Sequence, residues 1–283
     1  MERGIARFNY VGSPLIFQFD MVETGHGCDI ANSVAALAPT QIFYLASDGF
    51  FMFNGERSIP IGAEKVDSFF FDDANPHKLD RLSCSIDPIN QVVAWSYVST
   101  DSISGDPDKI ILYNYAVNRW SLASVSHEFI GTIISPNFTL EALDNISSSL
   151  DGLGTSLDSR FWRGGQSAFA ASSSSKIASF TGDPLAATLE TMEFEPSKMK
   201  SSLIKSVTPI VTSKDVAPTL TVQVGSRSRQ IDTVSFTTAG SLNSDNLVPT
   251  RSNGRYHRVR VNASGTWRYA LGVDVDAVSL GRR

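Results

Sequence analysis

The chain reverses direction at intervals too short for helices to grow between the turns. In QIFYLASDGFFMFNGERSIPIG, residues 41–62, two polar turns, Ser47-Asp48-Gly49 and Asn54-Gly55, bracket the bulky run Phe50, Phe51, Met52 and Phe53. Short aromatic and β-branched runs between Gly, Ser, Asn and Asp clusters are strand signals. Four large side chains in succession occupy both faces of a strand, so the sheet that holds them is expected to be covered on both sides. The same punctuation continues along the chain and predicts an all-β protein. Strands are expected at 15–20, 41–46, 50–53, 91–98, 109–115, 166–170 and 176–180. Helical texture is confined to 63–71, 76–82 and 139–147. In the last of these Thr139 is placed to cap, and Leu140, Leu143 and Ile146 recur at three-residue spacing.

A loose repeat runs through the first two thirds: strand, turn, a second strand ending on an aromatic residue, a polar turn, then another short strand. It occurs at 41–62, 91–124 and 167–190, with Phe53, Tyr113 and Phe180 as anchors. The anchors lie roughly 60 to 70 residues apart, longer than the about 40 to 50 of regular propeller repeats. Helical inserts at 63–82 and 139–147 account for the excess. The expectation is partial or reduced β-propeller-like blades over residues 1–197, followed by a C-terminal β-sandwich-like domain over 198–283. Within the latter, 203–211, 218–224, 230–237 and 255–276 are strand-prone.

The last of these segments, GRYHRVRVNASGTWRYALGVDVDA, alternates on either side of Ala263-Ser264-Gly265. Read as a hairpin, it sets Val261 opposite Trp267, Val259 opposite Tyr269 and His257 opposite Leu271, with every apolar side chain on one face. The other face then carries Arg258, and Arg260 opposite Arg268. Like charges paired across strands destabilise by about 0.2–1 kcal/mol, so a carboxylate is expected nearby, from Asp274, Asp276 or a neighbouring subunit. Arg258, Arg260 and Arg268 are accordingly the candidate subunit-interface residues.

Charge is divided along the chain. Residues 1–200 carry 13 Lys/Arg against 24 Asp/Glu, a net −11, whereas 201–283 carry 11 against 5, a net +6. Opposite fields on two parts of one chain favour ordered association of copies or docking on a charged partner. No apolar run approaches the roughly 18 residues of a membrane helix. Two cysteines, Cys28 and Cys84, are too few for a disulfide framework, and no apolar signal core follows Met1-Glu2-Arg3-Gly4. These features point to synthesis in a reducing cytoplasm.

Candidate chemistry is sparse. Asp48 invites comparison with the aspartate boxes of propeller glycosidases, but those space their Ser, Asp and Gly, whereas here the three are contiguous. Asp48 is read as a turn residue bonding its own backbone. His26 and Cys28, with Asp29, share a strand face at i and i+2 and so form a conceivable thiol and base, without a third group to orient them. His77 and His127 are isolated and expected to be exposed, and no Cys/His spacing points to zinc. DSISGDPD, 101–108, lacks the ligand spacing of a calcium loop, and Gly152, Gly154, Gly164 and Gly165 lack a following GK[ST]. Arg255, Arg258, Arg260 and Arg268 interleave with Tyr256, Trp267 and Tyr269, a pattern that can grip single strands. The hairpin register sends Trp267 and Tyr269 to the core instead. No catalytic, cofactor or metal residue is assigned, and a non-enzymatic protein is expected.

Several phrases, in order, resemble bacteriophage and prophage tail proteins of β-propeller character: IFYLASDGFFMFNGERSIPIGAEKVDSFFFDD, DRLSCSIDPINQVVAWSYV, DKIILYNYAVNRWSLA, LDSRFWRGGQSAFAA, FTGDPLAATLET and the 254–277 ending. The class most similar is the tail nozzle, or tail tubular protein B, of short-tailed phages. The resemblance spans residues 10 to 276 and implies a virion component assembled in the host cytoplasm. It further implies a hexameric ring that joins a phage adaptor or other tail proteins and lets DNA pass without sequence preference. A stopper or hub ring, and a receptor- or glycan-binding tail protein, are the alternatives. An acidic bore suits passage, because unneutralised phosphates keep their counterions and do not stick.

Overall fold

The computed structural model describes residues 4–134, 139, 143–144, 146–153, 157–158, 162, 164–165, 167–180, 184–213 and 216–281. The chain forms two compact units, Met1–Thr181 and Gly182–Arg283. The break falls earlier than 197/198 because residues 187–190 form a strand of the second unit. As expected, the protein is all-β, built from small antiparallel sheets, none of which closes into a barrel among the described residues.

In the first unit, strands β1 (Gly4–Tyr10) and β2 (Phe17–Thr24) form a hairpin. Strands β3 (Ala35–Ala38), β4 (Gln41–Ala46), β5 (Gly49–Phe53) and β6 (Ser58–Pro60) follow as a four-stranded meander. A second meander comprises β7 (Ser83–Asp87), β8 (Val92–Tyr97), β9 (Lys109–Asn114) and β10 (Arg119–Ser124), and a third sheet joins β11 (Phe129–Ile134), β12 (Ser167–Ser173) and β13 (Lys176–Ser179). The links between strands are closed by side chains that accept from the backbone two and three residues on. Asn54 Oδ1 takes the N–H groups of Glu56 and Arg57, Asp87 Oδ1 those of Ile89 and Asn90, and Asn114 Oδ1 those of Ala116 and Val117. These bonds fix the reversals, and the reversals fix the register.

Alternation along the strands then stacks the sheets in chain order. Phe43, Leu45 and Phe50 on one face of the first meander pack with Val93, Trp95, Ile111 and Tyr113 of the second. The opposite face, Tyr44, Ala46, Phe51 and Phe53, is covered by Ile5 and Val22 of the hairpin. Ala94 and Ile110, on the far side of the second meander, meet Ile130 and Phe169 of the third sheet. Strand β5, with its four bulky residues in succession, is thus covered on both sides, as expected. Helix α1 (Asp67–Asp73) begins four residues later than expected, and 76–82 is a 3-10 turn, Pro76–Arg81, capped by Asn75. Of the expected helix 139–147, residues 140–142 and 145 lie outside the described residues. Bonds from Leu143 N to Thr139 O and from Ser147 N to Leu143 O keep helical spacing there.

The second unit is a sandwich. One sheet orders β14 (Ala187–Glu190), β20 (Tyr256–Ser264), β16 (Thr219–Arg227) and β17 (Ser235–Phe236), with β18 (Gly240–Ser241) also on β16; the other orders β19 (Val248–Gly254), β15 (Ser201–Ser213) and β21 (Trp267–Gly281). Val222, Val224, Val259 and Val261 of the first sheet meet Ile204, Val207, Val273 and Val275 of the second. The expected hairpin is corrected here. β20 pairs with β16 and β14, and β21 pairs with β15, so the two strands lie in opposite sheets. His257, Val259, Val261 and Ala263 do face inward, as the alternation required. Alternation fixes which face is buried, but not which strand lies alongside.

Two smaller expectations also fail. His127 is 2% exposed rather than on the surface: its Nε2 lies 2.5 Å from Ser96 Oγ and its Nδ1 2.6 Å from Val125 O. Tyr269 is exposed rather than in the core.

Candidate interaction surface

The outward face of β14, β20 and β16 carries the arginines singled out from the sequence. Because β14 lies antiparallel to β20, Glu190 stands directly opposite Arg260. Arg260 Nε donates to Glu190 Oε2 at 3.0 Å and its Nη2 lies 2.9 Å from the same oxygen. Arg258 is held more loosely, with Nη1 3.5 Å from Glu190 Oε1 and Nε 3.8 Å from Glu193 Oε1. Arg227 grips Glu193 with two donors, at 2.6 and 2.5 Å, and Arg255 Nε reaches Glu195 Oε1 at 2.7 Å. The charges therefore alternate across the sheet: Arg260, Glu190, Arg258, Glu193, Arg227. The forked bond from Arg227 holds the Glu193 carboxyl below the usual carboxylate range, and Arg255 does the same to Glu195. Arg260 also lies 4.0 Å from the Phe236 ring centroid, while Arg227 and Arg255 both lie over Tyr256.

The carboxylate demanded by the crowded arginines is thus present in the same chain, from Glu190 and Glu193 rather than from Asp274, Asp276 or a neighbour. Arg268 stands apart. It is the extra residue of a bulge in β21, between the Thr212–Tyr269 and Ser213–Trp267 pairs, and is exposed; among the described residues it makes no ion pair. Arg258 and Arg260 are brought together, and Arg268 is not placed with them. Trp267 packs on the sandwich core, as the alternation required, and donates Nε1 to Leu185 O at 2.9 Å, whereas Tyr269 is exposed.

The other sequence candidates gather at the β4–β5 turn. Asp48 occupies that two-residue turn, 58% exposed in its side chain, and its Oδ2 lies 3.6 Å from His26 Nε2; Glu23 Oε1 lies 3.6 Å from His26 Nδ1. Glu23 accepts from Ser58 Oγ at 2.5 Å, and Ser58 Oγ is 2.6 Å from Tyr44 OH. An open polar hollow of about 610 Å³ lies over His26, Asp29 and Asp48. Cys28 does not join the imidazole. Its Sγ donates to Ile30 O at 2.8 Å and meets Ser33 Oγ at 3.2 Å, so no thiol and base pair is formed. In the 101–108 loop Asp106 binds Arg81, and Asp108 accepts from Ser99 N and Oγ. No group of three metal-ligating side chains occurs among the described residues.

The carboxylate that matters to this turn is one the sequence reading missed. Asp67 Oδ1 accepts the N–H of Phe50 at 3.1 Å, and its carboxyl rests against Gly49 and Gly62. Burial raises the Asp67 pKa, the Phe50 N–H opposes that rise, and the charge of Asp48 adds to it. The available signal was the pair of glycines in GFFMFNGERSIPIG, which leave room for a side chain arriving from elsewhere.

Comparison with protein-family models and with curated proteins found no match to this sequence.

Proposed function

We propose that this chain is a structural component of a bacteriophage tail, a nozzle-type ring subunit that connects tail parts and conducts or retains DNA. The reading begins from the ordered resemblance in sequence. The observation that carries it furthest is the division of charge between two separately packed units. The first unit has 11 Lys/Arg and 20 Asp/Glu, a net −9; the second has 13 and 9, a net +4. Opposed fields of this kind favour an ordered arrangement of copies, with an acidic surface free to face passing DNA without binding it. The arginines of the second unit support the same view, since three glutamates engage Arg227, Arg255, Arg258 and Arg260 and offset the charge that these four would offer a phosphate backbone.

On this reading the protein is non-enzymatic and acts by assembly. Glycan recognition is the weaker reading. The two features that a sugar site combines are separate here: the apolar hollow of about 300 Å³ beside Ile5, Phe8, Val34, Tyr44 and Phe53 has few polar groups, and the polar hollow over His26, Asp29 and Asp48 has no Phe, Tyr or Trp among its lining residues. The test is the native mass of the full chain together with peptide identification in purified particles. A multiple of 30.7 kDa and presence in virions are expected; a strict monomer absent from virions overturns the proposal.

A further inference from the structure

The β1–β2 hairpin carries an unpartnered aromatic face. Phe8 pairs with Phe19 and Tyr10 with Phe17 across the strands, with ring centroids 4.9 and 5.8 Å apart, and the four side chains are 47 to 74% exposed. Leu15 and Ile16 extend the exposed apolar surface at the tip. The other face is polar: Arg7 stands opposite Asp20, and Asp20 accepts from Asn9 and Gln18. Such alternation is the pattern of a sheet with one buried side, and a continuous apolar patch on that scale marks an interaction site.

A receiving surface exists on the same chain. In the sandwich, β14 and β21 each occupy an outer edge of their sheets. Beside them is an open slot of about 170 Å³ walled by Leu189, Val211, Val259, Val261 and Val273. Leu271, the extra residue of a second bulge, stands at its mouth, 73% exposed. An apolar cavity of about 150 Å³ accepts a benzene ring.

We propose that the aromatic face of the β1–β2 hairpin of one copy docks on the β14–β21 side of the sandwich of a second copy, with one ring entering this slot. The contact names the surfaces by which copies would assemble and rests on the assembly reading above. Charge selects it over hairpin against hairpin. The hairpin belongs to the unit of net −9, so like-with-like docking brings two acidic units together, whereas the unit that holds the slot is +4 overall; beside the slot Glu190 is paired with Arg260, and Arg268, Asp274 and Asp276 are exposed along β21. The contact is heterologous: each copy gives a hairpin and receives one, and copies join head to tail into a ring where the rotation closes.

The experiment is native mass spectrometry and light scattering of the full chain, of the hairpin variant Phe17→Ser/Phe19→Ser, and of the slot variant Leu271→Asp. All three positions are exposed, and circular dichroism checks that each variant folds. Loss of a buried aromatic anchor is expected to raise the concentration for half-assembly by about 30-fold or more, and Leu271→Asp to act likewise. An equimolar mixture of the two variants keeps one intact contact per pair and is expected to give heterodimers and nothing larger. Variants that assemble like the wild type overturn the docking contact and leave the assembly reading standing. A hairpin variant that dissociates while the slot variant does not overturns the choice of receiving surface. A wild-type chain that is monomeric at every concentration overturns both.

Discussion

Gly62 tests whether the Asp67 carboxylate organises the first meander. A Cβ at Gly62 would lie 1.9 Å from Asp67 Oδ1 and 2.7 Å from its Cγ, contacts that no folded chain keeps. Gly62 is not in the left-handed region, so alanine is permitted by the backbone. Restricting the unfolded chain would alone stabilise by about 0.4–1 kcal/mol. Against this, the short Asp67 side chain cannot swing clear and still accept the Phe50 N–H. Phe50 is fully buried against Phe70, Trp95 and Trp120, at centroid distances of 5.0, 4.8 and 5.2 Å. Stranding its N–H costs about 1–3 kcal/mol, so Gly62→Ala is expected to destabilise by about 1–2 kcal/mol net. In an Asp67→Ala background that bond is already gone and the space is empty, so Gly62→Ala becomes neutral or stabilises by up to about 1 kcal/mol. Urea unfolding of the four proteins, followed by tryptophan fluorescence, closes the cycle. Effects that add to within about 0.5 kcal/mol refute the coupling. So does a Gly62→Ala protein as stable as the wild type.

His127 and His257 are both buried, and burial lowers each pKa below the ordinary 6.5. The unfolded chain then binds protons that the folded chain does not, so their contribution is whole above about 6.5 and is lost as pH falls below it; melting temperatures that stay level from about pH 7 to 5 would contradict this. Tyr97 donates to Asp73 Oδ2 at 2.7 Å while Lys109 holds Oδ1 at 2.6 Å. Tyr97→Phe is expected to cost about 0.5–1.5 kcal/mol, read as a lower urea midpoint with unchanged slope. Glu190→Ala removes the carboxylate shared by Arg258 and Arg260. The expected loss is about 0.2–1 kcal/mol, larger at low salt than at high, and equal loss at both ionic strengths would count against the alternating charge lattice.

What the sequence could and could not specify follows from the range of each interaction. The strand 41–46 was placed to the residue because its ends are set by neighbours: Ser47 and Asp48 make the reversal, and Ala46 pairs with Gly49 directly across it. The arginine surface was half legible. The alternation in YHRVRVNA put Arg258 and Arg260 outward, and their crowding called for a carboxylate; Glu190, opposite Arg260, lies 70 residues away and no local pattern points to it. His127 was misjudged for the same reason, since its burial depends on Ser96 and on the sheet around it.

The placement of β20 and β21 in opposite sheets was illegible for a different reason and bears on the proposed contact. A segment of period two on each side of Ala263-Ser264-Gly265 is equally compatible with a hairpin in one sheet and with a chain crossing between two sheets, because inward and outward faces are the same in both. The crossing is what exposes the seam. Had β20 and β21 paired, Val259 and Leu271 would have closed against neighbours in one sheet; with the strands in opposite sheets, β14 and β21 are left as edges. The bulges at Arg268 and Leu271 then carry these side chains out of the alternating pattern, one a charge without a partner in the charge lattice and the other an apolar residue at the mouth of the slot. Bulges of this kind commonly re-aim a side chain at a sheet edge. The departure from regular alternation is therefore where an interaction surface is to be sought, and deleting the bulged residue Leu271 should restore a regular ladder, narrow the slot and weaken assembly while leaving the sandwich folded.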